Sequence, residues 1–263
     1  MNLKFIGAAL LLASFTQQVS AEVIELNLNN VVTLRGPIDD SMAGPLIAKI
    51  NVKADSRTTL LGNPAPLYLF LDSPGGSVSS GLDIIANTEN IPNLKTATIF
   101  AASMASGIVQ ALPGERLGTK NSIMMFHRAR GGVQGQLETG ELESQLDFWK
   151  GIIRKMEKNN SDRMSITLEN YKAQVKDELW IHGQDNITKK SLDRIVSFKC
   201  SKELLNATET LQVNTMFGPI TLKFSQCPLL NYPIGIEGGQ EAQTIFNKAY
   251  NEISKKFSFG NRF

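Results

Sequence analysis

The sequence predicts an α/β fold with parallel strands, and three apolar runs separated by helical patterns carry that prediction. Leu67-Tyr68-Leu69-Phe70-Leu71, Thr96 to Phe100, and Ile123-Met124-Met125-Phe126 each read as a buried strand. The first is apolar without alternation, as a strand covered on both faces is. After it, Leu82, Ile85 and Ala86 mark one face of a helix ending near Asn90. After the second run, Met104–Leu112 is an apolar helix that Pro113-Gly114 terminates. Strand, helix, strand, helix, strand in that order is the pattern of parallel β-α units.

The flanking elements follow in turn. Residues 22–38 alternate loosely through Val23, Ile24, Leu26, Leu28, Val31, Val32 and Leu34, and Gly36-Pro37 closes these one or two strands. Met42, Leu46, Ile47 and Ile50 give residues 41–52 helical spacing. Residues 137–158 predict a long amphipathic helix along Leu142, Leu146, Trp149, Ile153 and Met156. Asn159-Asn160-Ser161 is expected to break it before a second helical stretch to about Lys176. Leu179-Trp180-Ile181 reads as a short strand, Thr188–Leu192 as a helix and Arg194–Phe198 as a strand. From Cys200 the periodicity weakens and Asn, Pro and Gly increase, so residues 199–263 read as an extension to a domain spanning 22–198.

Residues 1–21 have the form of a secretory signal peptide. Lys4 supplies the positive start, Phe5 to Phe15 the apolar stretch, and Val19-Ser20-Ala21 the small-residue cleavage site. The apolar stretch is short for a membrane span, and the expectation is an exported chain, periplasmic or secreted. The formal net charge is +2, which gives no electrostatic footprint for nucleic acid or an anionic membrane. The chain has two cysteines, Cys200 and Cys227, and in an exported protein such a pair reads as one disulfide. The chain-entropy model assigns that closure on the order of 3 kcal/mol. Two cysteines and two histidines at these spacings give no metal site, and no cofactor is expected.

Each strand end carries a reactive or permissive residue. Ser73-Pro74-Gly75-Gly76 is a turn whose glycines let a backbone N–H approach a substrate carbonyl. Ser103 stands where a strand passes into a helix, placing its hydroxyl where unpaired N–H groups and the helix dipole favour a developing anion. A serine there is ordinarily an N-cap, and Ser106 one turn later reads as a small packing residue. His127 ends the third strand, and the 24 residues from Ser103 leave room for a helix, a loop and a returning strand. An oxyanion turn, a hydroxyl and an imidazole are the parts of a serine hydrolase.

Together these segments resemble the Clp protease proteolytic subunit family. The resemblance rests on Leu69-Phe70-Leu71-Asp72-Ser73-Pro74-Gly75-Gly76-Ser77-Val78, Ala101-Ala102-Ser103-Met104, Asn121 to His127, Gly131-Gly132 and Gln134-Gly135-Gln136, in matching order and separation over residues 30–196. It implies the Clp/crotonase fold of stacked β-β-α units, with residues 137–158 projecting to assemble homo-oligomeric rings. It implies Ser103 as nucleophile and His127 as general base. Gly76 and Met104 N–H groups would form the oxyanion hole, and Gly75, Gly131 and Gly132 would border the bound substrate. For the third triad member, a gapless match places Glu178 at the family's aspartate, and a one-residue slip places Asp177 there. Glutamate can orient a histidine as aspartate does. His182 in the same stretch reads as a surface residue.

Two departures shape the expected activity. Cytoplasmic family members dock an ATP-driven unfoldase, whereas an exported enzyme meets neither ATP nor that ATPase. Residues 199–263 also exceed the family's usual C-terminus. The expectation is an ATP-independent serine endopeptidase acting on peptides or unfolded proteins. The competing readings are a signal-peptide-peptidase-like enzyme with a Ser–Lys dyad, a non-catalytic scaffold of the same fold, and a crotonase-like acyl-CoA enzyme.

Overall fold

Leu67, Leu69 and Leu71 point to one side of a strand and Tyr68 and Phe70 to the other, and both sides are buried. That double burial organises the molecule, because it requires a layer on each face of the central sheet. The computed structural model describes residues 22–60, 62–130, 138–215 and 218–240, with residues 244, 247 and 248.

The chain opens with β1 (Val23–Leu26), β2 (Val31–Arg35), α1 (Asp40–Asp55) and the short strands β3 (Thr59–Leu60) and β4 (Asn63–Pro64). There follow β5 (Leu67–Ser73), α2 (Val78–Thr88), β6 (Leu94–Ala102), α3 (Met104–Ala111) and β7 (Arg116–Phe126). The long α4 (Thr139–Arg163) leads to α5 (Leu168–Gln174), β8 (Leu179–His182), α6 (Asp185–Thr188), β9 (Arg194–Ile195) and β10 (Ser197–Cys200). Beyond these come α7 (Lys202–Asn206), β11 (Thr208–Thr215), β12 (Gly218–Ser225) and β13 (Pro233–Gly238).

The central sheet has the order β2-β5-β6-β7-β8, with β9 also on β7. The pairs from β2 to β7 are parallel, as the β-α pattern predicts, and β8 runs antiparallel to β7. One face packs against residues from α1, α2, α3 and α5, including Leu46, Ile50, Ile84, Ile108 and Tyr171. The other face is covered by Ile24 and Leu26 of β1, Phe198 of β10, Leu204 of α7, and Cys227. The protein is therefore of mixed α/β class, and α4 projects from it: residues 141–151 are exposed, and its buried residues are Asn160 and Ser161 near its C-terminal end.

Four local expectations are corrected. Helix α4 continues through Asn159-Asn160-Ser161, because the Asn160 amide donates to the Tyr171 hydroxyl (2.8 Å) and the Ser161 hydroxyl to the Lys158 carbonyl (2.8 Å). The first bond takes the Asn160 side chain out of competition for the backbone, and the second is a back-bond along the helix that a helical serine can make. The helix expected at 188–192 lies at Asp185–Thr188, where the Asn186 amide donates to the Ser122 and Gly183 carbonyls, both at 3.0 Å. The strand expected over 194–198 divides at Val196, with β9 joining β7 and β10 joining β1. In α2 the buried face is Ser80, Gly81, Ile84 and Thr88, with Ile85 half-buried against the core beside it, whereas Ala86 is exposed. A Cβ on Gly81 would lie 2.4 Å from Met104 Cγ, so a small residue is what lets α2 reach the start of α3.

Arg116 at the start of β7 is 4% exposed and clamps Asp193, donating from its backbone N–H (2.8 Å), Nε (3.1 Å) and Nη2 (2.5 Å). Burial alone raises the Asp193 carboxyl, but the Arg116 bonds and the Arg163 charge outweigh it and hold the group below the usual carboxylate range. The pair therefore stabilises the fold above the unfolded carboxyl's pKa near ~4 and loses that contribution as pH falls through the lower folded value. Asp193→Asn is expected to cost about 2 kcal/mol at neutral pH, a modest loss because water screens the partly exposed carboxylate. Its denaturation curves should also lose part of the acid-dependent destabilisation between about pH 5 and 3.

Among the described residues after α7, β11, β12 and β13 form a three-stranded antiparallel sheet closed over Val213, Ile220, Leu222, Phe224 and Ile236. A disulfide joins Cys200 to Cys227 with Cα atoms 5.9 Å apart. A second latch lies at the ends of β2 and β5. Arg35 donates to the Pro228 carbonyl (2.6 Å), and the Asn231 amide donates to Asp72 (3.1 Å). Reduction of the disulfide is expected to lower stability by about 3 kcal/mol, measured as the shift in denaturation midpoint with and without reductant.

Candidate active site

Strands β5, β6 and β7 are neighbours and parallel, so their carboxyl ends lie side by side. Ser73–Gly76 follows the first, Ser103 the second and His127 the third. In parallel sheets this edge is where ligands bind. Register shifts interrupt the ladder upstream, between Leu71 and Asp72 on β5 and between Thr98 and Phe100 on β6. Such irregularities re-aim the residues that follow them.

Ser103 adopts φ 56° and ψ −121°, a conformation that L-residues rarely hold. Its side chain makes no cap bond to α3. The ordinary N-cap role is absent, and the hydroxyl instead lies 2.7 Å from His127 Nε2. Neighbouring backbone over-determines the strained turn. The Ser103 N–H donates to the Met125 carbonyl (2.9 Å), and the Gly107 N–H donates to the Ser103 carbonyl (3.1 Å). Ser106, expected as mere packing, is buried with its hydroxyl 2.6 Å from the Ser103 carbonyl and 2.7 Å from that of Met125. It ties the Ser103 turn to β7, the strand that carries His127.

Gly75 and Gly76 both require the absence of a side chain. Gly75 has φ +87°, and a Cβ there would lie 2.4 Å from the Ala102 carbonyl oxygen and 2.8 Å from Ser103 Cβ. Gly76 has φ +151°, and its Cβ would lie 2.2 Å from the Ile38 carbonyl oxygen. Ile38 is bridged through the residues on either side of Gly76: its N–H donates to Gly75 (2.9 Å) and its carbonyl accepts from Ser77 (2.8 Å). The alternation of a parallel bridge turns the Gly76 N–H away from Ile38. Met104 begins α3, where the backbone N–H groups have no intrahelical acceptor. Gly76, Ser103, Met104 and His127 line one cavity of about 100 Å³, closed by Phe126, Met156 and Tyr171. No lysine lines it among the described residues. A neighbouring cleft of about 460 Å³ shares Gly76, Val78, Arg130 and Ile153 with it.

The structure does not join the third expected member to the pair. His127 Nδ1 is buried and has no hydrogen-bond partner among the described residues. Glu178 instead accepts from Arg130 Nη2 (3.3 Å) and from Trp180 Nε1 (3.0 Å), on a backbone with φ 115°. Asp177 is exposed. The register of β7 on β8 ends at the pair Phe126–Leu179, so His127 and Glu178 each lie one residue beyond the ladder and Asp177 two. His182 sits at the far end of β8, exposed and opposite Ile123. Gly131 and Gly132 lie outside the described residues, as does the leader expected at 1–21. Arg130, Ser106 and Ile38 were not singled out from the sequence as site residues, and only Arg130, a cation just before the glycine pair, carried a visible signal.

A serine hydroxyl on a strained strand-to-helix turn, within hydrogen-bond reach of an imidazole, defines a serine hydrolase. A family model of the Clp protease matches residues 16–198. The chain is 27% identical over 172 residues to the ATP-dependent Clp protease proteolytic subunit of Streptococcus mutans, covering 64% of this chain and 85% of that protein. It is 26% identical over 173 residues to the corresponding subunit of Streptococcus gordonii, with the same coverage. The chain belongs to the Clp protease family, and its enzyme class is that of a serine-type peptidase.

Proposed function

We propose that this chain is an exported serine endopeptidase that works without an ATPase on peptides or unfolded proteins. The observation that carries the proposal is the 2.7 Å approach of His127 Nε2 to Ser103 Oγ at the head of α3. Ser103 Oγ attacks the scissile carbonyl carbon while its proton passes to His127 Nε2. The carbonyl oxygen becomes an oxyanion, held by the Gly76 and Met104 N–H groups. Collapse breaks the C–N bond, and His127 returns the proton to the departing amine. Water then adds to the acyl ester, giving a proton to His127; collapse breaks the C–Oγ bond, His127 returns that proton to Ser103 Oγ, and the carboxylic acid leaves.

For Nε2 to accept, the imidazole proton must sit on Nδ1. A buried Nδ1–H needs an acceptor, and Glu178, which immediately precedes the Leu179 paired with Phe126, is our assignment. Export is supported by the leader-like residues 1–21 and by the Cys200–Cys227 disulfide, a bond suited to oxidising compartments. Among the described residues no helix is long and apolar enough to cross a membrane. The projecting α4, with Leu142, Leu146, Phe148 and Trp149 partly or largely exposed, supports assembly into a homo-oligomeric ring. A fluorophosphonate is expected to label the purified protein at Ser103, identified by peptide mapping. A folded protein left unlabelled overturns the proposal.

A further inference from the structure

Arg130 stands at the junction of the two cavities and faces both. Its guanidinium meets one acceptor among the described residues, Glu178 Oε1 at 3.3 Å, and its side chain is 77% exposed. The other charged groups around these cavities already have partners. Glu157 is paired with Lys172 (3.4 Å) and Lys150 with Asp147 (3.0 Å). Arg130 therefore presents most of its donors to whatever occupies the cleft. Across the same corner, His127 Nδ1 is buried without an acceptor among the described residues, and Arg130 holds the carboxylate of Glu178, which like His127 lies one residue beyond the β7–β8 ladder.

We propose that Arg130 recognises an acidic side chain of the substrate beside the scissile bond, and that by doing so it releases Glu178 to His127. The inference rests on the reading of Ser103 and His127 as the reacting pair. An exposed Arg–Glu pair is weak, so exchanging one carboxylate for another costs little. A bound peptide excludes water from the cleft, and the new pair gains strength as the local dielectric falls. The freed Glu178 is then repelled by the substrate carboxylate and drawn to the unpaired Nδ1–H. An acidic residue in the substrate thereby speeds the chemical step as well as tightening binding. Arg130 acts as a specificity residue and Glu178 as a positioning residue.

The test compares matched fluorogenic peptides carrying Glu or Gln at each position flanking the cleaved bond, with kcat and KM measured separately. At one position the Glu peptide is expected to exceed its Gln counterpart in kcat by about tenfold. Arg130→Leu should bring that ratio to about one, and Arg130→Lys should keep part of it. Fluorophosphonate labelling of Ser103 is followed in every protein as an independent readout. If wild type is not labelled, the peptidase reading itself fails. If it is labelled yet turns over Glu and Gln peptides alike at every position, or if Arg130→Leu keeps the preference, the role of Arg130 is overturned. An advantage confined to KM overturns the release of Glu178.

Discussion

Ser103→Ala is expected to lower peptide turnover by about a millionfold, to the residual rate that binding and the oxyanion donors alone sustain. The loss should fall on kcat, because the hydroxyl bonds to substrate only as the transition state forms. Its stability should stay close to wild type, since alanine keeps the Cβ that the turn already accommodates. Ser103→Gly separates the two properties further. Glycine occupies φ 56°, ψ −121° without the steric penalty that serine carries. It should be equally inactive yet more stable by about 1 kcal/mol, read from denaturation midpoints alongside peptide hydrolysis. A Ser103→Gly protein less stable than wild type would show that the turn is not strained.

Gly76→Ala is the second large effect. A methyl group at Gly76 would lie 2.2 Å from the Ile38 carbonyl oxygen, on a backbone with φ +151°. The loop must move off Ile38, and the bonds from Ile38 to Gly75 and from Ser77 to Ile38 are strained or lost. The N–H at this position then no longer points where the proposed oxyanion would form. Loss of one such donor slows acyl transfer by roughly 100- to 1,000-fold, and the distorted turn adds about 1 to 3 kcal/mol of instability. Fluorophosphonate labelling of Ser103 should slow in parallel with turnover. A Gly76→Ala protein that labels at the wild-type rate would remove Gly76 from the oxyanion site.

The parallel core was legible because its signals are local. Leu67–Leu71 is apolar at every position, and Pro113-Gly114 marks a helix end, so the β-α order could be read directly. Ser103 and His127 were legible as a pair only through the linked motifs, since a serine before a helix is ordinarily a cap. Asn159-Asn160-Ser161 misled because the partner that satisfies Asn160 is the Tyr171 hydroxyl, which arrives from another helix. The α2 face misled for a similar reason, with Gly81 buried against Met104 and apolar Ala86 exposed. The alternation of Ile220, Leu222 and Phe224 was present in the sequence, but the Pro, Asn and Gly around it obscured the strand. The station of Glu178 was not readable at all. It depends on Arg130 and Trp180, side chains that any pattern treats as surface.

The disulfide has a further consequence through its place in the β1–β10 ladder. That parallel pair brings Val23 to Ser197 and ends with Leu26 against Cys200, joining the first described strand to one 174 residues later. The strands that carry Ser103 and His127 need far shorter chain closures, so the seam at Leu26–Cys200, like the Arg35–Pro228 latch, has a high contact order and its closure is expected late. A covalent staple at an element that forms after the folding barrier leaves the folding rate largely unchanged and slows unfolding. For a chain exported as proposed, beyond the reach of ATP-driven refolding, a long native lifetime is the form of stability that counts.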